Sequence, residues 1–172
     1  MAIFETLASG RRTGREIFSE AVDAYTASVY QSAFFYLHNH HDAEDVCQET
    51  FLKLYTEKGR FTDENHVRAW LLRVCSNLCK NVLRRKKHTQ TLPLEEALTV
   101  ADEKREDETL SLILSLPPLY SSALYLYYYE GYRTAEIAEM LDEKDATVRS
   151  HLKRGRELLR KMIGGEEDEE FR

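Results

Sequence analysis

From Arg15 to Lys58, and again from Arg60 to Leu92, the chain contains neither glycine nor proline. Strands are punctuated by turns rich in these two residues, so stretches this long without them argue against a strand-and-turn architecture. The fold expected is all-α. With 172 residues, of which 42% are hydrophobic, the chain can bury real cores in one ordinary domain or two small ones. No apolar run approaches the roughly 18 residues of a spanning helix, and Met1 to Arg15 holds no apolar stretch with a cleavage site. The 3 cysteines form no Cys-x-x-Cys pair, as expected of a soluble, unexported chain in the reducing cytoplasm.

A net charge of −6 argues against a nucleic-acid partner only until its distribution is considered. Between His66 and His88 lie Arg68, Arg73, Lys80, Arg84, Arg85, Lys86 and Lys87, with no carboxylate among them. Leu94 to Thr109 is predominantly acidic, Lys144 to Lys161 predominantly basic, and Glu166 to Glu170 forms an acidic tail after Gly164-Gly165. Two basic segments separated by an acidic, weakly patterned one predict two small helical domains joined by an acidic linker. The boundaries expected are 1–88, a linker over 89–106, a second domain over 107–163 and a tail over 164–172.

Apolar residues at helical spacing predict a first helix from about Arg15 to Leu37. Asp42 is the expected cap of a second, reaching about Tyr55. On that helix Ala43, Val46, Cys47, Thr50, Phe51, Leu54 and Tyr55 share one arc, while Asp45, Gln48, Glu49 and Leu52 share the opposite one. Geometry alone leaves two meanings for the second arc: a solvated acidic face with one stray leucine, or an apolar docking contact ringed by hydrogen-bonding groups. After a loop over 56–64, Asn65 is the expected cap of a long helix to about Lys87. Leu71, Val74, Cys75, Leu78, Cys79 and Val82 form its buried stripe; Arg73, Asn77, Lys80, Arg84 and Lys87 form a ridge on the other side. A cationic ridge without a carboxylate predicts phosphate contact. Trp70 beside it can serve as a core residue or stack on an unpaired base.

In the second half, Pro117-Pro118 follows an apolar helix over Leu110 to Leu116 and starts another, whose tyrosines are expected mainly in the core. Thr134 to Leu141, the turn Asp142 to Lys144 and the basic helix from Asp145 to Met162 have the helix-turn-helix pattern. Thr147, Ser150, His151 and Arg154 project from the first turns of the last helix toward base edges, with Arg149, Lys153, Arg156 and Arg160 as a ridge over phosphates.

These residues carry a family resemblance. Asp42 to Tyr55 resembles region 2 of bacterial sigma-70-type sigma factors, and Arg68 to Val74 with Asn77-Leu78 and Leu83-Arg84-Arg85 resembles the promoter-melting, minus-ten-reading part that follows it. Leu116-Pro117, Tyr127 to Tyr132, Glu136-Ile137-Ala138 and Thr147 to Arg156 resemble region 4, the minus-thirty-five reader. The order and length resemble the extracytoplasmic-function group, which keeps only these two domains. The resemblance implies a transcription initiation factor whose Asp45, Gln48, Glu49 and Leu52 dock on the polymerase largest subunit. It implies minus-ten contacts from Trp70, Arg73, Asn77, Lys80, Arg84 and Arg85, and minus-thirty-five contacts from Thr147, Arg149, Ser150, His151, Lys153 and Arg154. The implied partners are core RNA polymerase, double-stranded and melted promoter DNA, and an anti-sigma factor. A loop over 56–64 that helps hold a flipped base, and an acidic linker that occupies the path of nascent RNA, are implied in the same way. Some positions depart from the pattern: Asp142-Glu143-Lys144 replaces the usual glycine-containing turn, which is expected to be strained or differently angled, Ala146 stands where glycine is common, and Asn81 replaces a frequent aspartate.

No phosphate-binding glycine loop, nucleophile motif or matched pair of carboxylates points to an enzyme, so no catalytic residue, cofactor or metal is expected. A metal site would have to use His38, His40, His41 and Cys47, or Cys75 and Cys79; the last two lie on the apolar stripe, where packing is the expected role. The alternative function is a free-standing helix-turn-helix transcriptional regulator that binds duplex DNA without polymerase.

Overall fold

The computed structural model describes residues 12–89 and 108–164. The elements run β1 (Arg12–Thr13), α1 (Gly14–Leu37), α2 (His40–Thr56), β2 (Arg60–Phe61), α3 (Glu64–Thr89), α4 (Glu108–Leu114), α5 (Pro118–Tyr128), α6 (Thr134–Leu141) and α7 (Asp145–Ile163). The acidic linker and the tail beyond Gly164 lie outside the described residues.

Local chemistry sets the boundaries, in places differently from expectation. The Thr13 N–H donates to Glu16 Oε2 at 2.6 Å and opens α1; His38, left-handed at φ 52°, closes it. Asn39 rather than Asp42 caps α2, its side-chain oxygen accepting from the Asp42 N–H at 2.9 Å, so the helix begins two residues before Asp42. Asp42 instead ion-pairs with Lys86. Likewise Asp63, not Asn65, caps α3, with Oδ1 accepting from the His66 N–H at 2.9 Å. The loop after α2 contains β2, which pairs antiparallel with β1 and seats Phe61 in the core. Two-residue strands carry too little alternation to be seen in sequence.

Helices α1 to α3 pack as a bundle around Ile17, Val29, Leu54, Val67 and Leu71. Helices α4 to α7 form a second one around Ile113, Leu124, Ile137, Leu141 and Val148. Each such side chain contributes roughly 1.5–3 kcal/mol through burial, which is what holds these short helices in place. Gly155 allows α7 to lie close on α5, since a Cβ there would stand 2.8 Å from Leu124 Cδ1. The sequence predicts two tethered units; in the structure they touch. Phe35 of α1 stacks on Tyr125 of α5 with ring centroids 4.5 Å apart, and the two cores merge into one.

Candidate nucleic-acid interface

The two arcs of α2 part as predicted. Ala43, Val46, Cys47, Thr50, Phe51 and Leu54 are buried, the Thr50 hydroxyl being absorbed by the Val46 carbonyl at 2.7 Å. Asp45, Gln48 and Glu49 are exposed around Leu52, which has a relative exposure of 64%. Tyr55 departs from the apolar arc: it is exposed, its hydroxyl accepts from Arg15 Nε at 2.9 Å, and Phe18 meets its ring edge-on. A helix near its C-terminus turns the last residue of such an arc toward the bundle rim, where a phenol keeps its hydroxyl wet.

On α3 the stripe Leu71, Cys75, Leu78 and Cys79 is buried, with Val74 and Val82 half-buried. Arg73, Asn77, Arg84 and Arg85 are exposed. Asn81, at one departure from the family pattern, accepts from Arg84 Nη2 at 2.7 Å and so fixes that guanidinium. Trp70 is half-buried, edge-on to Phe61 at 5.7 Å, with part of its ring at the surface beside Arg73. Lys80 differs from the rest of the ridge: its ammonium donates to the Leu141 carbonyl at the end of α6. The side chain of Lys87 lies outside the described residues.

Sequence alone did not pair Arg68 with Glu130 and Tyr132, which the fold brings together. Arg68 donates to Glu130 Oε2 at 2.6 Å and lies over the Tyr132 ring at 5.0 Å. The Tyr125 hydroxyl stands 2.8 Å from both Glu130 Oε1 and Gln31 Oε1, and burial together with the Glu130 charge pushes its pKa up. Burial likewise raises Tyr132 to about 12. A cavity of about 540 Å³ opens beside this cluster, with Trp70 and Arg73 on its α3 side and Glu136 and Glu139 on its α6 side.

The turn Asp142 to Lys144 has the length predicted. Asp142 adopts the left-handed conformation at φ 48°, and the Glu143 N–H reaches back to the Ala138 carbonyl at 2.9 Å. Aspartate is among the few residues that tolerate this region, so the glycine usual there is replaced without opening the turn. On α7, Arg149, Ser150, Lys153, Arg154, Arg156 and Arg160 are exposed and Thr147 is half-buried. Arg149 pairs with Asp145 at 3.1 Å, an exposed contact that a phosphate can displace. His151 is turned inward, 5.7 Å from the Tyr120 ring, and burial lowers its pKa.

Of the candidate metal ligands, His38, His40 and Cys47 are engaged elsewhere. His38 Nε2 lies 2.9 Å from Ser121 Oγ, His40 stacks on Phe34 at 4.4 Å, and burial raises the Cys47 thiol to about 11. Among the described residues no group of three or more His, Cys, Asp or Glu could hold a metal ion, and no helix is long and apolar enough to cross a membrane.

Against known families, residues 21–89 match Sigma-70 region 2 and residues 106–159 match Sigma-70, region 4. The chain is 32% identical to the ECF RNA polymerase sigma factor SigW of Bacillus subtilis, over 95% of its own length and 97% of that protein's. It belongs to the extracytoplasmic-function group of sigma-70 family RNA polymerase sigma factors. SigM of Mycobacterium tuberculosis is 33% identical over 72% of this sigma factor and 65% of SigM. The fold is shared with two solved sigma factors, each 19% identical. They are RpoE of Bartonella quintana in complex with the anti-sigma factor NepR (TM-score 0.65, covering 87% of this chain and 98% of that one) and CnrH in complex with the cytosolic domain of CnrY (TM-score 0.60, 94% of each). As a sigma factor the protein is a transcription initiation factor and not an enzyme.

Proposed function

We propose that this sigma factor docks on core RNA polymerase through Asp45, Gln48, Glu49 and Leu52 and directs it to promoters in the cytoplasm. The observation that carries this is the exposed Leu52 within a ring of hydrogen-bonding side chains, an apolar contact that pays for nothing in the free protein and gains from a partner. Helix α3 reads the minus-ten element: Arg73, Lys80, Arg84 and Arg85 neutralise phosphates, Asn77 offers an amide to a base, and Trp70 stacks on a base as the duplex opens. Helix α7 reads the minus-thirty-five element in the major groove with Thr147, Ser150, Arg154 and His151 near its start, Arg149 and Lys153 lying over the backbone. His151 contributes once it swings off Tyr120. Two weak modules become a strong one when polymerase fixes their spacing. RpoE of Bartonella quintana is solved in complex with the anti-sigma factor NepR, and we assign this protein an anti-sigma partner of the same kind.

The test is run-off transcription on a fragmented genomic library with sigma-free core polymerase. Discrete starts that require the protein and disappear with Leu52→Glu support the assignment. No stimulation, together with sequence-specific duplex binding by the protein alone, would establish the free-standing regulator instead.

A further inference from the structure

Helix α7 carries six cations, Arg149, Lys153, Arg154, Arg156, Arg160 and Lys161, against two carboxylates, Asp145 and Glu157, a net charge of +4. Both carboxylates are engaged at the surface, Asp145 by Arg149 at 3.1 Å and Glu157 by Lys153 at 4.0 Å. Among the described residues Arg154, Arg156, Arg160 and Lys161 are exposed and in no ion pair. At 3.6 residues per turn Arg149, Lys153, Arg156 and Arg160 share an arc of about 60°, while Arg154 and Lys161 stand roughly a third of a turn away. An exposed helix face ordinarily mixes both signs of charge, and this one lacks the second.

The residues that follow in sequence carry the missing sign. The Gly164 N–H donates to the Arg160 carbonyl at 2.8 Å and ends α7. After Gly164-Gly165 come Glu166, Glu167, Asp168, Glu169 and Glu170, then Phe171 and Arg172, a net charge of −4. Two consecutive glycines let a chain reverse its direction. Arg160 lies about 6 Å and Lys153 about 16 Å back along the helix axis from Gly164, and six residues of extended chain from Gly164 to Glu170 reach about 20 Å. Carboxylates after the reversal therefore come level with Arg160, Arg156 and, at full reach, Lys153. Arg149, about 22 Å back, is left to Asp145. Exposed ion pairs are individually weak, but a tether this short holds the segment at an effective concentration in roughly the millimolar range, so several of them act together.

We propose that the acidic segment 166–170 lies back along Lys153, Arg156 and Arg160 of α7 and competes with duplex DNA for that ridge. A row of carboxylates offers these cations the same charge that a phosphate backbone offers. DNA must displace the segment to bind, so the free chain holds duplex more weakly than its α7 cations alone would. This rests on the assignment of α7 to the minus-thirty-five element.

The experiment uses the full chain in about 50 mM salt, where exposed charges are little screened. A nitroxide on Phe171→Cys, the native thiols being buried, broadens the amide resonances of residues near it. Broadening is expected at Lys153 to Arg160, lost beyond the turn next to Gly164 when Glu166→Gln, Glu167→Gln, Asp168→Asn, Glu169→Gln and Glu170→Gln are combined. It should also be lost when random-sequence duplex is added. No broadening at Lys153 to Arg156, or the same broadening in the neutralised chain, overturns the contact; broadening that persists with duplex bound overturns the competition. Duplex affinity, measured by fluorescence anisotropy, gives a second reading. Glu167→Gln with Glu169→Gln is expected to bind about five-fold more tightly than Asp23→Asn with Glu44→Gln, which makes the same change in net charge on exposed residues of the first bundle. Equal affinities would mean that net charge alone acts, and would overturn the proposal. Arg154 lies off the ridge, so run-off transcription with Arg154→Ala tests the reading beneath separately: unchanged promoter use removes the minus-thirty-five assignment, whereas the broadening and the affinity difference concern only the segment.

Discussion

Arg68 and Glu130 are 62 residues apart in sequence and joined at two points, the guanidinium donating to Glu130 Oε2 at 2.6 Å and to the Glu130 carbonyl at 3.0 Å. The pair ties the middle of the first bundle to the first turn after α5. Its carboxylate is buried and its guanidinium is partly exposed. Removing the cation therefore costs more than the pair itself contributes, because a buried charge is left with the Tyr125 hydroxyl but no counter-charge.

Arg68→Ala is expected to lower unfolding free energy by about 2 kcal/mol, below the range for fully buried pairs because solvent reaches the guanidinium. Glu130→Gln should cost less, since an amide oxygen still accepts from Arg68. Urea unfolding of the two single variants and the double variant gives the coupling; additive effects would show that the two side chains do not act as a pair.

Leu52→Glu should leave the melting temperature within about 1–2 °C of wild type, since the side chain is already in water. Binding to core polymerase should fall more than about ten-fold, as expected for the centre of a small interface. Unimpaired polymerase binding, measured by fluorescence anisotropy, would dissociate this face from docking.

Gly155→Ala introduces a Cβ 2.8 Å from Leu124 Cδ1 and 3.4 Å from Tyr120 Cβ. Leu124 is fully buried and has little room to yield, so a loss of about 1–2 kcal/mol is expected from overpacking. Calorimetry should show a lower melting temperature; an unchanged one would mean that α7 can move off α5 without loss.

Burial lowers the pKa values of His38 and His151 below the ordinary 6.5. Below that value the unfolded chain binds protons that the folded chain refuses, so stability is full above it, falls as pH drops through it, and levels off below the folded values. Melting temperature should decrease between about pH 7 and pH 5.5, by a few degrees. Glu16 and Asp63, also lowered, lose their contributions only as pH falls below their ordinary 4.5 and 3.8, outside that window. His38→Gln with His151→Gln should flatten the decrease; an unchanged slope would assign it to other groups.

Much of the fold was legible because helical periodicity and the lack of glycine and proline are local properties, and the faces of α2, α3 and α7 follow from 100° per residue. The exposed set Asp45, Gln48, Glu49 and Leu52, the buried Cys75 and Cys79, and the cations of α7 stand where their spacing puts them. Caps were less legible, because Asn39 competes with Asp42 and Asp63 with Asn65 for the same orphan N–H groups, and only backbone geometry selects between them. The β1–β2 pair, the inward turn of His151 and the capture of Lys80 by the Leu141 carbonyl were not legible at all. Each depends on a partner many residues away. Which side chains each helix presents follows from local spacing; which of those faces meet water and which meet the other bundle follows from long-range packing and from pairs such as Arg68 and Glu130, whose members no local pattern connects.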